Sequence, residues 1–187
     1  VANVEVIDEP DTARYMAMAA ELRKAAMQEH NNYALGLYYM NLISYQSHSQ
    51  SGQGIRQALD TLEEFRAMVE KTGSSRNRFY DSWQNIVNTL RNNNDISQAV
   101  KQLRLLLSYA DEHDDDYGLA TAYMAFGDFY AFTYDEAIRN YEKAVHHMQR
   151  AECYDDLWYA YYSMACIAHN NVKYEETLHF VDLMVQS

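Results

Sequence analysis

The chain has 187 residues, of which 48% are apolar and 22% charged, and its formal net charge is −12. That charge repels phosphate backbones, so the chain is not expected to bind nucleic acid. No uncharged run approaches the roughly 18 residues that span a bilayer, which disfavours a membrane protein. One proline and six glycines leave little material for β-turns, whereas helix-forming residues are abundant. Composition therefore predicts an all-α chain.

Helical periodicity predicts nine helices along the chain. After an acidic lead (Val1 to Pro10), Asp11 or Thr12 is expected to cap the first helix. Polar or glycine-containing turns separate the helices: residues 49–54 break the pattern, Gly73 supplies a positive φ, and Asp95 and Thr133 are predicted N-caps. The predicted helices run over about 11–30, 33–48, 55–71, 77–91, 96–112, 117–132, 134–150, 155–170 and from 174 to the end.

A signature of small and apolar residues recurs four times, at a period of about forty residues. Each copy has the spacing i, i+4, i+7, which lies along one stripe of an α-helix. A unit this short cannot bury its own apolar face, so neighbouring units are expected to stack into a helical-repeat array. The four copies are Ala58 with Leu62 and Phe65, Ala99 with Leu103 and Leu106, Ala137 with Tyr141 and Ala144, and Thr177 with Val181 and Met184.

The third unit carries the most specific motif. Tyr123, Gly127 and Tyr130, followed by Ala137 and Ala144, resemble the tetratricopeptide pattern W-x2-L-G-x2-Y then A-x3-F, with a tyrosine at the tryptophan position. The period is longer than the usual 34 residues and the terminal proline is missing. The resemblance covers about residues 33–186. It implies one domain over residues 1–187, a right-handed superhelical stack of helix hairpins at about 33–71, 77–112, 117–150 and 155–187 behind a leading helix at about 11–30.

The resemblance also implies a function. In tetratricopeptide-like arrays the first helix of each pair lines a concave groove, which here predicts a scaffold for an extended peptide of another protein. The net charge of −12 favours a peptide with basic residues. Similar Tyr-rich arrays occur in the sensory regions of bacterial signalling proteins, including sensor kinases and regulators. The predicted groove residues are Gln84, Asn88, Arg91, Asn92, Met124, Asp128, Phe132, Tyr162, His169 and Asn170.

Two alternatives stay open. The first is that the array is a self-association platform, for example in a homodimer, or a structural spacer. The second is that it binds small ligands or carbohydrates through its 17 tyrosines. Because the chain begins with Val1 and carries no leader, it is expected to be a fragment of a larger protein. As a soluble fragment it would be periplasmic within a membrane sensor and cytoplasmic otherwise.

No sequence signature indicates catalysis, a cofactor or a metal. GxSxG, HExxH, Walker and GxGxxG motifs are missing. The run from Asp111 to Asp116 lacks EF-hand spacing, so its last aspartate is expected to cap the next helix. His147 and its neighbour His146 point about 100° apart on a helix and cannot share a metal. Cys153 and Cys166 are expected to be free thiols, Cys166 at a buried position. Gly127 and Ala165 are predicted where helices approach most closely.

Overall fold

The computed structural model describes residues 12–48 and 53–187. Within these ranges the chain is all-α, as predicted, with nine α-helices, one 3-10 turn at Tyr154–Asp156 and no strands. The predicted caps and break at Val1 to Asp11 and at residues 49–52 lie outside the described residues. The helices are α1 Thr12–Gln28, α2 Asn32–Ser47, α3 Gly54–Thr72, α4 Asn77–Asn92, α5 Ile96–Glu112, α6 Asp116–Phe129, α7 Tyr134–Arg150, α8 Leu157–Asn170 and α9 Tyr174–Gln186.

The chain divides into two compact units, Val1–Val100 and Lys101–Ser187. The boundary falls inside α5, so the helix itself continues from one unit into the next. The single superhelical domain stays a prediction, and each unit is described by itself below. Among the described helices, none is both long and apolar enough to cross a membrane.

In the first unit, α2 packs against α1, α3 and α4. The core is built largely from aromatic rings. Tyr15 of α1 stacks on Tyr45 of α2 at a centroid distance of 3.9 Å, and its hydroxyl donates to the Asn41 carbonyl at 2.8 Å. Tyr39 stacks on Phe65 of α3, which meets the edge of Phe79 of α4. The α2 helix is apolar on several sides because α1, α3 and α4 cover it on different sides.

In the second unit, α7 packs against both α6 and α8, and α8 packs against α9. The recurring apolar signature supplies the core, since Ala137, Tyr141 and Ala144 of α7 are all at most 1% exposed. Small residues of α8, including Ala160 and Ala165, belong to the same core. The first three copies of the forty-residue signature therefore mark buried helix contacts, as the sequence predicts. The fourth copy, Thr177, Val181 and Met184 on α9, is only half-buried.

Five of the described turns share one hydrogen-bond geometry. In each, a residue with positive φ is followed by one whose N–H donates, at 2.8–3.0 Å, to the carbonyl five residues earlier, which is the Schellman motif. This common turn ends α1, α4, α5, α7 and α8, so the backbone leaves each of these helices with the same hydrogen-bond pattern. Gly73 has φ 64, as predicted, at the end of α3. The other positive-φ residues are His30, Asn94, Asp114, Glu152 and Val172.

The helix ends differ from the predictions in three places. The α6 helix ends at Phe129 instead of Phe132, because the chain turns there and the Thr133 N–H donates to the Tyr130 carbonyl at 2.7 Å. Thr133 occupies the N-cap position of α7, but its side chain makes no cap hydrogen bond. Asp115, one residue before the predicted Asp116, caps α6. Asp95 accepts from the Gln98 N–H at 3.2 Å, which confirms it as a cap.

The predicted close approach at Gly127 is confirmed. A Cβ atom placed on Gly127 would lie 2.7 Å from Cζ of Tyr141, much closer than two carbon atoms can approach. Ala165 is 6% exposed within the same core. Glycine is therefore required at position 127 by the ring of the neighbouring helix, since the backbone there is ordinary α-helix.

Candidate functional site

Four predicted groove residues lie on α4 in the first unit. Gln84, Asn88, Arg91 and Asn92 follow one another at helical spacing and so share one side of the helix. The first three are half-buried and Asn92 is exposed. The side-chain amides of Gln84, Asn88 and Asn92 offer hydrogen-bond donors and acceptors together, which is the chemistry that an extended peptide backbone requires.

The second unit contains the other six residues, and two of them differ from the prediction. Met124 is only 6% exposed because the stripe through Ala120 and Met124 packs into the core, so it offers no surface to a ligand. Phe132 lies beyond the end of α6, in the turn before α7, where its ring is fully exposed. Phe132 is accessible, therefore, but it does not stand on the helix face that the prediction assumed.

Asp128 is the predicted residue with the best-defined surroundings. Its carboxylate is half-buried near the end of α6, and Oδ1 accepts a hydrogen bond of 2.6 Å from the Tyr141 hydroxyl of α7. Tyr141 is 1% exposed and its ring lies directly against Gly127, so it holds the carboxylate in place. Burial, and then the negative charge of Asp128, raise the pKa of Tyr141 above its ordinary value.

Helix α8 brings further polar and aromatic groups to the same place. Ser163 lowers the pKa of Tyr141, and the charge of Tyr159 raises it, so both residues of α8 lie near the Tyr141 hydroxyl. Tyr159 also interacts with Tyr162, and the neighbouring Cys166 thiol is the main cause that raises the pKa of Tyr162. Asp128 of α6 and Tyr159 of α8 thus both interact with Tyr141 of α7.

An exposed aromatic surface continues along α8. Trp158, Tyr159 and Tyr162 are 52%, 41% and 49% exposed, and the first two rings meet edge to face at a centroid distance of 5.8 Å. Sequence reasoning missed Trp158 and Tyr159. Their spacing from Tyr162, i, i+1 and i+4, was a usable signal because these positions fall on one side of a helix.

His169 and Asn170 are exposed at the other end of α8. His169 stands seven positions after Tyr162 in the helix, which is a distance of about 10 Å along the axis. The His169 ring contacts that of Tyr174 at the start of α9, with centroids 6.0 Å apart. These two residues therefore lie on the same helix as the aromatic surface but beyond its last ring.

A second polar cluster, also missed from the sequence, joins the start of α6 to the end of α7. Asp116 Oδ1 is 2.7 Å from Nδ1 of His147, and its Oδ2 is 3.1 Å from Nε of Arg150. The His147 ring stacks on Tyr123, and Lys143 Nζ lies 4.9 Å from the centre of the same ring. Each partner of Asp116 is a side chain of α7, so this cluster fixes the helix pair.

The remaining chemistry-bearing residues have simple surroundings. Cys153 and Cys166 form no disulfide, as expected, although Cys166 is half-buried instead of buried. Among the described residues, no group of three or more histidine, cysteine or acidic side chains is arranged to hold a metal ion.

Comparison with known proteins identifies no relative: no family model matches the chain, and no curated protein and no solved structure matches it. The tetratricopeptide-like resemblance therefore stays a prediction from the residues that carry it.

Proposed function

We propose that the chain is a protein-interaction module that binds an extended peptide segment carrying a basic residue. The observation that carries this proposal is the Asp128 carboxylate, which is held by the Tyr141 hydroxyl in the unit that also exposes the rings of Tyr159 and Tyr162. Tyr159 interacts with the same Tyr141. A carboxylate next to aromatic faces attracts a lysine ammonium or arginine guanidinium by charge and by cation–π interaction. We call the surface formed by Asp128, Trp158, Tyr159 and Tyr162 the aromatic-acidic face.

The overall charge supports a basic partner. A net charge of −12 raises the local concentration of positively charged segments around the chain and speeds their encounter with it. Added salt screens this attraction, so we expect the association rate to fall as ionic strength rises.

The amide side chains supply the second half of peptide recognition. Asn170 on α8 is exposed in the same unit as the aromatic-acidic face and can pair with backbone N–H and C=O groups of the peptide. Gln84 and Asn88 on α4 offer the same chemistry within the first unit. The proposed architecture is the right-handed superhelical stack of hairpins that the repeat pattern predicts, in which such residues recur on successive first helices.

The test is selection from a phage-displayed library of random linear peptides, followed by titration of the enriched peptides. We expect the enriched sequences to carry arginine or lysine next to an apolar residue. Asp128→Asn should weaken their binding about tenfold, because it removes the charge while leaving an oxygen that accepts from Tyr141. Tyr162→Ala should weaken binding as well.

Matched controls separate this site from general effects. Glu142→Gln removes one exposed negative charge from α7. Tyr33→Ala removes a ring that is 61% exposed in the first unit. Both controls should keep peptide affinity within about twofold. Enriched peptides without basic residues, or equal losses in Asp128→Asn and Glu142→Gln, would contradict the proposal.

We propose further that this binding serves signal transduction in bacteria, as the sensory or interaction region of a kinase or regulator. The support is the tetratricopeptide-like resemblance alone. The complete coding sequence tests it: a kinase or regulator domain in the same protein would support the role, and a purely structural or metabolic context would contradict it.

A further inference from the structure

Three nitrogen-bearing side chains line one side of α7. Lys143, His147 and Arg150 stand four and three residues apart, and side chains at these spacings are neighbours on a helix, with Cβ atoms about 5–6 Å apart. Lys143 and Arg150 are exposed, and His147 is half-buried. We call these three residues the basic cluster. A small ligand can contact all three side chains at once.

Two side chains of α6 hold the basic cluster in position. Asp116 contacts Nδ1 of His147 through Oδ1 at 2.7 Å, and Nε of Arg150 through Oδ2 at 3.1 Å. Tyr123 packs against the core of the second unit, and its ring stacks on that of His147 with an interplanar angle of 10°. Lys143 Nζ lies 4.9 Å from the centre of the same ring. Side chains that are ordered in this way lose less conformational entropy when a ligand binds.

These contacts use only part of the hydrogen-bonding capacity of the basic cluster. Asp116 engages Nδ1 and Nε, so Nε2 of His147 and the two terminal nitrogens of Arg150 are the groups that can bind a ligand. A clamp between α6 and α7 requires only Asp116 and its two partners. Lys143 adds a positive charge that such a clamp does not use. Together with Arg150 it outweighs the charge of Asp116, so the group as a whole is positive.

We propose that the basic cluster binds a phosphate group, carried either by a phosphorylated side chain of another protein or by a small phosphate compound. Arginine and lysine both bind phosphate oxygens through charge-assisted hydrogen bonds. Phosphate presents oxygens on several sides, which suits donors spread over two turns of a helix, whereas a carboxylate presents only two oxygens. Nε2 of His147 accepts a hydrogen bond when the ring is neutral and donates one when it is protonated. A phosphate monoester supplies either partner, because its second pKa is about 6.

The surrounding charge determines the expected affinity. The acidic run of residues 111–116 leads into α6 and opposes an anion, whereas the three side chains of the basic cluster attract it. We therefore expect weak binding of inorganic phosphate, with a dissociation constant on the order of 1 mM.

The test is a titration of the whole chain with inorganic phosphate up to about 20 mM, followed by heteronuclear NMR at neutral pH. Sodium chloride keeps the ionic strength constant, so general screening does not change during the titration. We expect saturable shifts in the ring of His147 and at Nε of Arg150. Lys143→Gln and Arg150→Gln should each raise the dissociation constant about fivefold with unchanged helical circular dichroism, because each removes one charged donor. Lys143→Arg should bind phosphate like the wild type, since it keeps the charge.

Lys101→Gln is the matched control, because it removes an exposed lysine from α5 within the same unit. It should leave the dissociation constant within about twofold of the wild-type value. Shifts that do not saturate would overturn the proposal. So would an equal loss of affinity in Lys101→Gln and Lys143→Gln.

A pair of alanine-rich peptides, one with a central phosphoserine and one with serine, identifies the source of the phosphate. If the phosphopeptide binds at least about tenfold more tightly than inorganic phosphate, the ligand is a phosphorylated protein, and if it does not, the ligand is a small phosphate compound. Asp116 begins α6 whereas Asp128 lies near its end. Peptide binding by the aromatic-acidic face is measured separately, so either proposal can fail alone.

Discussion

Replacing Gly127 by alanine should have two opposing effects on stability, a gain in helix propensity and a steric clash with Tyr141. Alanine in place of glycine inside a helix normally raises the free energy of unfolding by about 0.5–1 kcal/mol. Here the new Cβ would lie 2.7 Å from Cζ of Tyr141 and 2.8 Å from both Cε atoms. The ring cannot retreat freely, because Tyr141 is 1% exposed and its hydroxyl is bonded to Asp128.

Overpacking of a core contact typically costs about 1–3 kcal/mol, which exceeds the gain in helix propensity. We therefore expect Gly127→Ala to lower the free energy of unfolding by about 1–2 kcal/mol, measured by urea denaturation with circular dichroism. Gly36→Ala in α2 is the matched control. Its Cβ would lie 3.7 Å from the nearest side-chain atoms, an ordinary contact, so that variant should be stabilised.

A double-mutant cycle isolates the contact itself. In a Tyr141→Leu background the ring is gone, so Gly127→Ala should there raise the free energy of unfolding by up to about 1 kcal/mol. If Gly127→Ala is instead stabilising in the wild-type chain, like Gly36→Ala, then Tyr141 does not lie against Gly127 and the register of α6 on α7 is wrong.

Two further predictions concern backbone strain and pH. Val172 has φ 62 and is 67% exposed, so Val172→Gly should raise the free energy of unfolding by about 0.5–1 kcal/mol in the same urea assay; destabilisation would contradict the strain. Burial and Asp128 raise the pKa of Tyr141, so above pH 10.0 the unfolded chain loses this proton first and stability falls as pH rises. Tyr141→Phe removes the hydroxyl, so the wild type should exceed this variant in free energy of unfolding at neutral pH by more than it does in alkaline urea titrations. A difference that stays the same at both pH values would refute the burial of the hydroxyl.

The local signals in the sequence were sufficient for the helices. Short-range chemistry explains this success: Asp95 caps a helix through a residue three positions later, and Gly73 ends one because it tolerates positive φ. The stripe through Ala137, Tyr141 and Ala144 likewise reports burial directly, since a helix places these residues on one side. The predicted Thr133 cap bond and the predicted end of α6 were wrong because a tight turn competes with the helical pattern there.

The candidate site depended on tertiary structure. In the sequence, Met124 and Asp128 lie on adjacent turns of one amphipathic helix, and both are equally plausible groove residues. Packing of α6 against α7 buries Met124 and gives Asp128 a hydrogen bond from a tyrosine 13 residues away. Packing of α8 on α7 adds Ser163 and Tyr159, which sequence reasoning did not single out. Helical periodicity defines which residues share a side of one helix, but only the contact between helices decides which of those sides is covered and which polar groups meet.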